Sequence, residues 1–278
     1  MTTTYRSAPG KTVDVGGSTY SYRELGPEGG VPVIFLNHLA ANLDNWDPRV
    51  VDGFAAQRHV IAIDYRGVGR STSRARTAVD DMARDMIDVI RALGHQSVDL
   101  HGFSLGGMVS QAIVVLDPQL VRRLILTGTG PAGGTGIDRV TRISIIDILH
   151  GLVTFKDPKT YLFFTRTPRG KQAAAAFLDR LGERTDDRDA AVSLTTFRAQ
   201  LKAIHGWGVR PPADLSTITI PVFIANGDAD RMVPTVNSEN LAARLPDSRL
   251  RIYPDAGHGG VFQFHDEFVR EALEFLAR

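Results

Sequence analysis

Five short, nearly continuous apolar runs set the strongest limit on the fold: Val33-Ile34-Phe35-Leu36, Val60-Ile61-Ala62-Ile63, residues 98–101, Leu124-Ile125-Leu126 and Val222-Phe223-Ile224-Ala225. A strand with one wet face alternates apolar and polar residues, whereas a run without alternation suits a strand covered on both faces. Between the runs, Val79, Met82, Ala83, Met86, Ile87, Ile90 and Leu93 recur at helical spacing ahead of Gly94. Leu105–Leu116 reads as another helix, closed by Asp117-Pro118. Strands alternating with helices predict an α/β fold, a mostly parallel twisted sheet with helices on both faces. Lys11–Val15 and residues 19–24 have no helix between them, which predicts an antiparallel edge.

The rhythm changes after about residue 130. Helical patterns over 137–152, 159–164, 170–181 and 188–204 follow one another with no strand. With 278 residues, 43% of them hydrophobic, one domain carrying an insertion accounts for the whole chain. We expect residues 1–130 and 215–278 to form the core. Residues 131–214 are expected to form a helical cap, or lid, over the carboxyl edge of the sheet, where ligand sites of α/β folds lie.

Gly102-Phe103-Ser104-Leu105-Gly106 follows one of the apolar runs and opens a helix. Such a turn strains and exposes its serine, making Ser104 a candidate nucleophile, and a Cβ at either glycine would collide with the neighbouring strand and helix. A serine hydroxyl attacks only once a histidine takes its proton, and the histidine needs a carboxylate to fix its tautomer. On a strand-turn-helix site the chain order is serine, acid, histidine. After residues 222–225 comes Asn226-Gly227-Asp228-Ala229-Asp230-Arg231-Met232-Val233-Pro234, with two carboxylates, and after the strand-like residues 249–253 comes Asp255-Ala256-Gly257-His258. Both loops fall at strand carboxyl ends, on the edge that carries Ser104.

With these motifs, and with the loop Asp64-Tyr65-Arg66-Gly67-Val68-Gly69-Arg70-Ser71, the chain resembles the α/β-hydrolase superfamily over nearly its whole length. The segment from Asn37 to Asp47 is similar to its counterpart in 3-oxoadipate enol-lactonases, with Asn37 and His38 where His-Gly is common elsewhere in the superfamily. The resemblance implies that Ser104 is the nucleophile, Asp230 the acid and His258 the base. Asp230 is preferred over Asp228 because Arg231-Met232-Val233-Pro234 follows it; Asp228 is then a turn carboxylate accepting backbone N–H groups. It further implies an oxyanion hole built from the amides of Leu39 and Leu105. A serine at the elbow, in place of an aspartate, separates the chain from haloalkane dehalogenases and epoxide hydrolases. The implied function is a serine hydrolase cleaving a carboxylic ester or lactone of a small, largely apolar substrate through an acyl-enzyme. Cofactor-free perhydrolase or haloperoxidase activity, C–C bond hydrolysis and a slow-turnover ligand receptor on the same fold stay open as alternatives.

Tyr161, Phe163, Phe164 and Phe155 cluster in the expected cap, and Trp207 stands where the chain returns to the core. Of these, Phe163, Phe164 and Trp207, with His38 beside the oxyanion loop, are the candidate pocket residues. The other histidines receive structural readings: His59 and His95 near strand starts, His150, His205 and His265 on helices or their ends, and His101 in a satisfied core position. Gly128-Thr129-Gly130-Pro131-Ala132-Gly133 matches a dinucleotide fingerprint, but Pro131 interrupts its phosphate-binding turn and no later strand supplies a ribose-binding acid. It reads as a flexible hinge into the cap.

The absence of cysteine excludes disulfides, thiolate metal sites and cysteine nucleophiles, and no zinc or calcium motif is present, so neither a metal nor a cofactor is expected. A net charge of +1 gives no overall field for nucleic acid or membrane, and Arg66, Arg70, Arg74 and Arg76 read as a solvated loop. The expected partner is a small-molecule substrate. Met1-Thr2-Thr3-Thr4-Tyr5-Arg6 lacks a signal-peptide pattern and no stretch is apolar enough to span a bilayer, which leads us to expect a cytoplasmic protein.

Overall fold

In the computed structural model, which describes residues 3–278, every one of the five apolar runs lies in a strand; Met1 and Thr2, at the head of the N-terminal segment read above, lie outside the described residues. The strands are β1 (Lys11–Val15), β2 (Ser18–Leu25), β3 (Val33–Leu36), β4 (Val60–Ile63), β5 (Val98–Phe103), β6 (Val121–Thr127), β7 (Val222–Gly227) and β8 (Ser248–Tyr253). They join in one sheet of order β1-β2-β4-β3-β5-β6-β7-β8. β2 runs antiparallel to β1 and β4, and all other neighbours are parallel. The sequence-predicted antiparallel edge is therefore present.

Ten helices accompany the sheet: α1 (Pro48–Ala55), α2 (Val79–Ala92), α3 (Leu105–Leu116), α4 (Val140–Thr154), α5 (Lys159–Leu162), α6 (Pro168–Leu181), α7 (Leu194–Gly208), α8 (Val236–Arg244), α9 (Gly260–Gln263) and α10 (His265–Ala277), counted among the described residues. Because successive side chains of a strand point to opposite faces, β3 feeds two cores. Ile34 and Leu36 pack with Met86 of α2, Met108 of α3 and Leu241 of α8. Val33 and Phe35 pack with Phe54 of α1 and Phe268 of α10. Both faces are covered, which is why the strands lack polar alternation. Helices α4 to α7 lie between β6 and β7 in the chain.

Several expectations need correction. Residues 188–193 are not helical. The Asp189 amide donates to Asp44 Oδ2 at 2.7 Å, and Ser193 caps α7 by accepting from the Thr196 amide at 3.1 Å, so the helix starts only at Leu194. Arg23, on β2, is 1% exposed, held between Asp44 at 2.7 Å and Asp189 at 3.0 Å. The basic loop is not simply solvated either: Arg66 and Arg76 share Asp85 at 3.3 and 2.8 Å, and Arg70 pairs with Asp187.

His101 is buried as expected but not satisfied. Its Nε2 meets Thr127 Oγ1 at 3.1 Å, while Nδ1 has no partner among the rings of Phe35, Trp46, Phe54 and Phe268. Burial pushes its pKa from the ordinary 6.5 down to about 3. The glycine run entering the insertion is pinned and not a loose hinge. Gly130 O accepts from Gln111 Nε2 and Trp207 Nε1, both at 3.2 Å, and the Gly133 amide donates to Trp207 O at 3.0 Å.

Candidate active site

The turn between β5 and α3 is a close-packed object. Ser104 takes φ 56° and ψ −115°, a conformation costly for a residue with a Cβ. It is held there because its amide donates to Thr127 O at 2.9 Å and its carbonyl accepts from Thr129 Oγ1 at 2.8 Å. The flanking glycines are required by contact: a Cβ on Gly102 would lie 2.4 Å from Gly106 O, and one on Gly106 would lie 1.9 Å from Leu36 O. The expectation that side chains there would strike strand and helix is met in full.

The loops after β7 and β8 meet beside this turn. His258 Nδ1 donates to Asp230 Oδ2 at 2.8 Å, with both side chains almost wholly buried. That bond fixes the tautomer and leaves Nε2 as the acceptor. Asp230 Oδ1 accepts the amides of Met232 and Val233 at 2.8 and 3.0 Å, so the carboxylate is held by three donors. Asp228 does something else: it accepts the amides of Asp255 and Ala256 at 3.1 and 3.2 Å, tying the acid loop to the histidine loop.

Ser104 and His258 face one cavity of about 210 Å³, together with His38, Leu39, Phe163 and Met232. Among the described residues Ser104 Oγ has no protein hydrogen-bond partner, which leaves it open toward the cavity; such bonds often tighten only when substrate arrives. The Leu105 amide begins α3 and has no carbonyl within the helix to receive it. The loop carrying Leu39 is shaped by Asn37, whose Oδ1 accepts the His38 amide at 2.9 Å and whose Nδ2 donates to Asn42 O at 2.8 Å. Ala40 then turns with φ 57°, its amide donating to Gln200 Oε1 of α7 at 2.8 Å. A residue of the insertion thus helps set this loop.

His38 donates from Nδ1 to the carbonyl of Leu39 at 2.8 Å, so its buried Nε2 is a lone-pair acceptor with no protein partner. Burial, reinforced by the charge of Lys159, lowers its pKa from 6.5 to about 3 and keeps it neutral. Its ring sits edge-on to Phe103 and Phe163 at 5.3 and 5.0 Å between centroids.

Two of the four candidate pocket residues line the cavity, His38 and Phe163. Phe164 instead packs at a tilt against Phe177, 5.5 Å between ring centroids, and Trp207 spends its Nε1 on Gly130 O inside the core. Both are packing residues. The cavity also borrows Ser144 and Ile148 from α4, Asp157, Pro158 and Lys159 from the α4–α5 junction, and Phe197 from α7, none of which the sequence singled out. Helical spacing marked these segments as helices but not which face would look inward.

The insertion is fastened to the loops that carry the site. Phe163 O accepts the Gly259 amide at 2.8 Å, Thr165 Oγ1 donates to Asp255 Oδ1 at 2.9 Å, and Arg231, next to Asp230, donates to the buried Asp147 of α4 at 3.2 Å. Among the described residues there is no group of three His, Asp or Glu side chains able to hold a metal, and no helix is long and apolar enough to cross a membrane.

Residues 34–272 match the Alpha/beta hydrolase family. A solved structure, an alpha/beta hydrolase fold protein from Chitinophaga pinensis, shares 34% identity with a TM-score of 0.93 over 99% of both chains. The enol-lactonase from Burkholderia xenovorans LB400 superposes with a TM-score of 0.79 over 96% of this chain and 100% of its own, at 19% identity, a likeness of fold alone. A protein of Variovorax paradoxus, named provisionally as the carbamate hydrolase RutD, is 28% identical over 92% of this chain and 96% of its own length. The chain belongs to the Alpha/beta hydrolase family. Fold and relatives together support hydrolase activity for it.

Proposed function

We propose that the protein is a serine hydrolase that cleaves a carboxylic ester or lactone through an acyl-enzyme, with residues 131–214 acting as a cap over the site. The observation that carries this reading is the buried His258–Asp230 bond of 2.8 Å on the wall of the cavity that also holds the strained Ser104. In this mechanism His258 Nε2 takes the Ser104 proton as Oγ attacks the carbonyl carbon. The imidazolium that forms is stabilised by Asp230. The negative charge developing on the carbonyl oxygen is met by the amides of Leu39 and Leu105, each contributing about 3 kcal/mol to the transition state. His258 then protonates the leaving alcohol, and the same residue activates the water that frees Ser104.

A small and largely apolar acyl group suits the cavity, whose walls include Leu39, Ile148, Leu162, Phe163, Phe197 and Met232. The free lone pair of His38 favours a second reading, in which the substrate carries an N–H or O–H donor beside its carbonyl, as a carbamate does. The test is a screen of p-nitrophenyl esters of graded acyl length, lactones and carbamates on the wild type and on Ser104→Ala. Ester or lactone turnover that vanishes in Ser104→Ala supports the proposal. Activity that survives the substitution, or no turnover of any carbonyl substrate, overturns it.

A further inference from the structure

We propose that the outer face of α4 docks onto an anionic lipid surface. Ile145, Ile146, Leu149, Leu152 and Val153 are 47, 51, 55, 67 and 77% exposed, and Phe155, just past the helix, is 97% exposed. At 100° per residue, positions 145, 149, 152 and 153 form one stripe with Ile146 on its border. The patch is on the order of several hundred Å², comparable with the largest that a monomeric protein ordinarily carries. Phe155 also holds a left-handed backbone, φ 55°, which costs a residue with a Cβ, while its ring touches almost nothing of its own chain. The ring extends the exposed apolar face past the end of the helix.

Charge identifies that surface. Arg142 lies seven residues before Leu149, in line with the stripe, and Lys156 follows Phe155 just beyond the end of the helix, so exposed cations flank the stripe at both ends. Arg139, just ahead of the helix, is exposed as well, while Arg166 lies 3.9 Å from the buried Asp147 of α4 and Arg169 lies over the Phe264 ring. The exposed acids of the region are Asp138 and Asp157, and Asp157 is paired with Lys159 at 3.3 Å. The whole chain carries only +1, so this excess is local. Pairing with a second copy is disfavoured, because antiparallel packing about Leu149 brings the cation at one end of each stripe toward the cation at the other end of its partner, and parallel packing brings like ends together. Leucine, isoleucine and phenylalanine bounded by lysine and arginine is instead the distribution that sinks into a headgroup layer, the cations meeting lipid phosphates.

The docked helix would lie beside the cavity, because Ser144 and Ile148 on its adjacent face line the cavity wall. An apolar substrate dissolved in the lipid would then be delivered at the site without crossing water. The docking itself does not depend on the proposed chemistry.

Sedimentation with vesicles of equal parts phosphatidylglycerol and phosphatidylcholine, compared with phosphatidylcholine alone, tests the docking. Wild type is expected to bind the anionic vesicles about tenfold more strongly than the neutral ones, with the difference shrinking as salt rises. Leu149→Glu/Leu152→Glu and, separately, Arg142→Glu/Lys156→Glu are each expected to abolish binding while leaving thermal unfolding unchanged. Should the first variant fail to fold, the charge variant and Phe155→Ser carry the test. No binding of wild type to anionic vesicles at low salt overturns the proposal. So does a wild-type dimer in light scattering that Leu149→Glu/Leu152→Glu dissociates, since a second copy then covers the stripe.

Discussion

Asp228 and Asp230 stand on the same loop and hold different parts of the molecule: Asp230 meets His258 at 2.8 Å, while Asp228 accepts the amides of Asp255 and Ala256. If Asp230 orients the base, Asp230→Asn lowers kcat/KM by about 10⁴-fold, because the amide favours the wrong histidine tautomer. Asp228→Asn is expected to lower thermal stability by about 1 kcal/mol and leave kcat/KM within about tenfold of wild type. Steady-state kinetics beside a melting curve for each variant separates the two roles, and the reverse ranking would assign the acid to Asp228.

Stability should fall in mild acid because of His101. Its folded pKa is about 3 against an ordinary 6.5, so between these values the unfolded chain binds a proton that the folded one does not. This contribution is fully present above about pH 6.5 and is lost as the pH falls toward 3. His101→Leu is expected to flatten the dependence of the urea-unfolding free energy between about pH 6 and 4 by up to about 1 kcal/mol per pH unit. Asp64, whose carboxyl is raised by burial, acts in the opposite direction but is common to both proteins, as is His38.

Arg180 of α6 grips Asp47, the cap of α1, with Nε at 3.0 and 3.1 Å and Nη2 at 2.6 Å, on a carboxylate that is fully buried. Arg180→Met strands that charge and is expected to cost about 3–5 kcal/mol. Adding Asp47→Ala should recover most of the loss, minus about 1 kcal/mol for the lost cap to the Arg49 amide. A double-mutant cycle by urea denaturation measures the coupling, and additive effects would mean that the pair does not fasten α6 to the core.

Gly106→Ala tests the close approach of α3 to β3. Its Cβ would lie 1.9 Å from Leu36 O and 3.0 Å from Asn37 O, both backbone atoms that cannot rotate away. A loss of about 3 kcal/mol or more is expected, with a drop in labelling of Ser104 by a fluorophosphonate probe. Wild-type melting and labelling would show that the elbow tolerates a methyl group.

The central parallel strands were legible because burial on both faces removes polar alternation, a signal local to each run. The serine turn was legible because steric exclusion leaves only glycine at positions 102 and 106. Less legible were the contacts between distant segments. Arg23 looks like a solvent-facing residue of an opening strand until Asp44 and Asp189 close on it, and Asp189 is 166 residues away. Phe164 and Trp207 carried the same aromatic signal as Phe163, yet only Phe163 reaches the cavity, since which face of a helix looks inward depends on what it packs against.

The sequence by itself therefore determined the central strands and the serine turn, because each follows from local sterics or from polar patterning. Only the tertiary structure decided that Asp228 ties the two loops together, which insertion residues wall the cavity, and that an apolar stripe of α4 is left uncovered. Those are relations between segments far apart in the chain, fixed by packing geometry, which no single window of sequence contains.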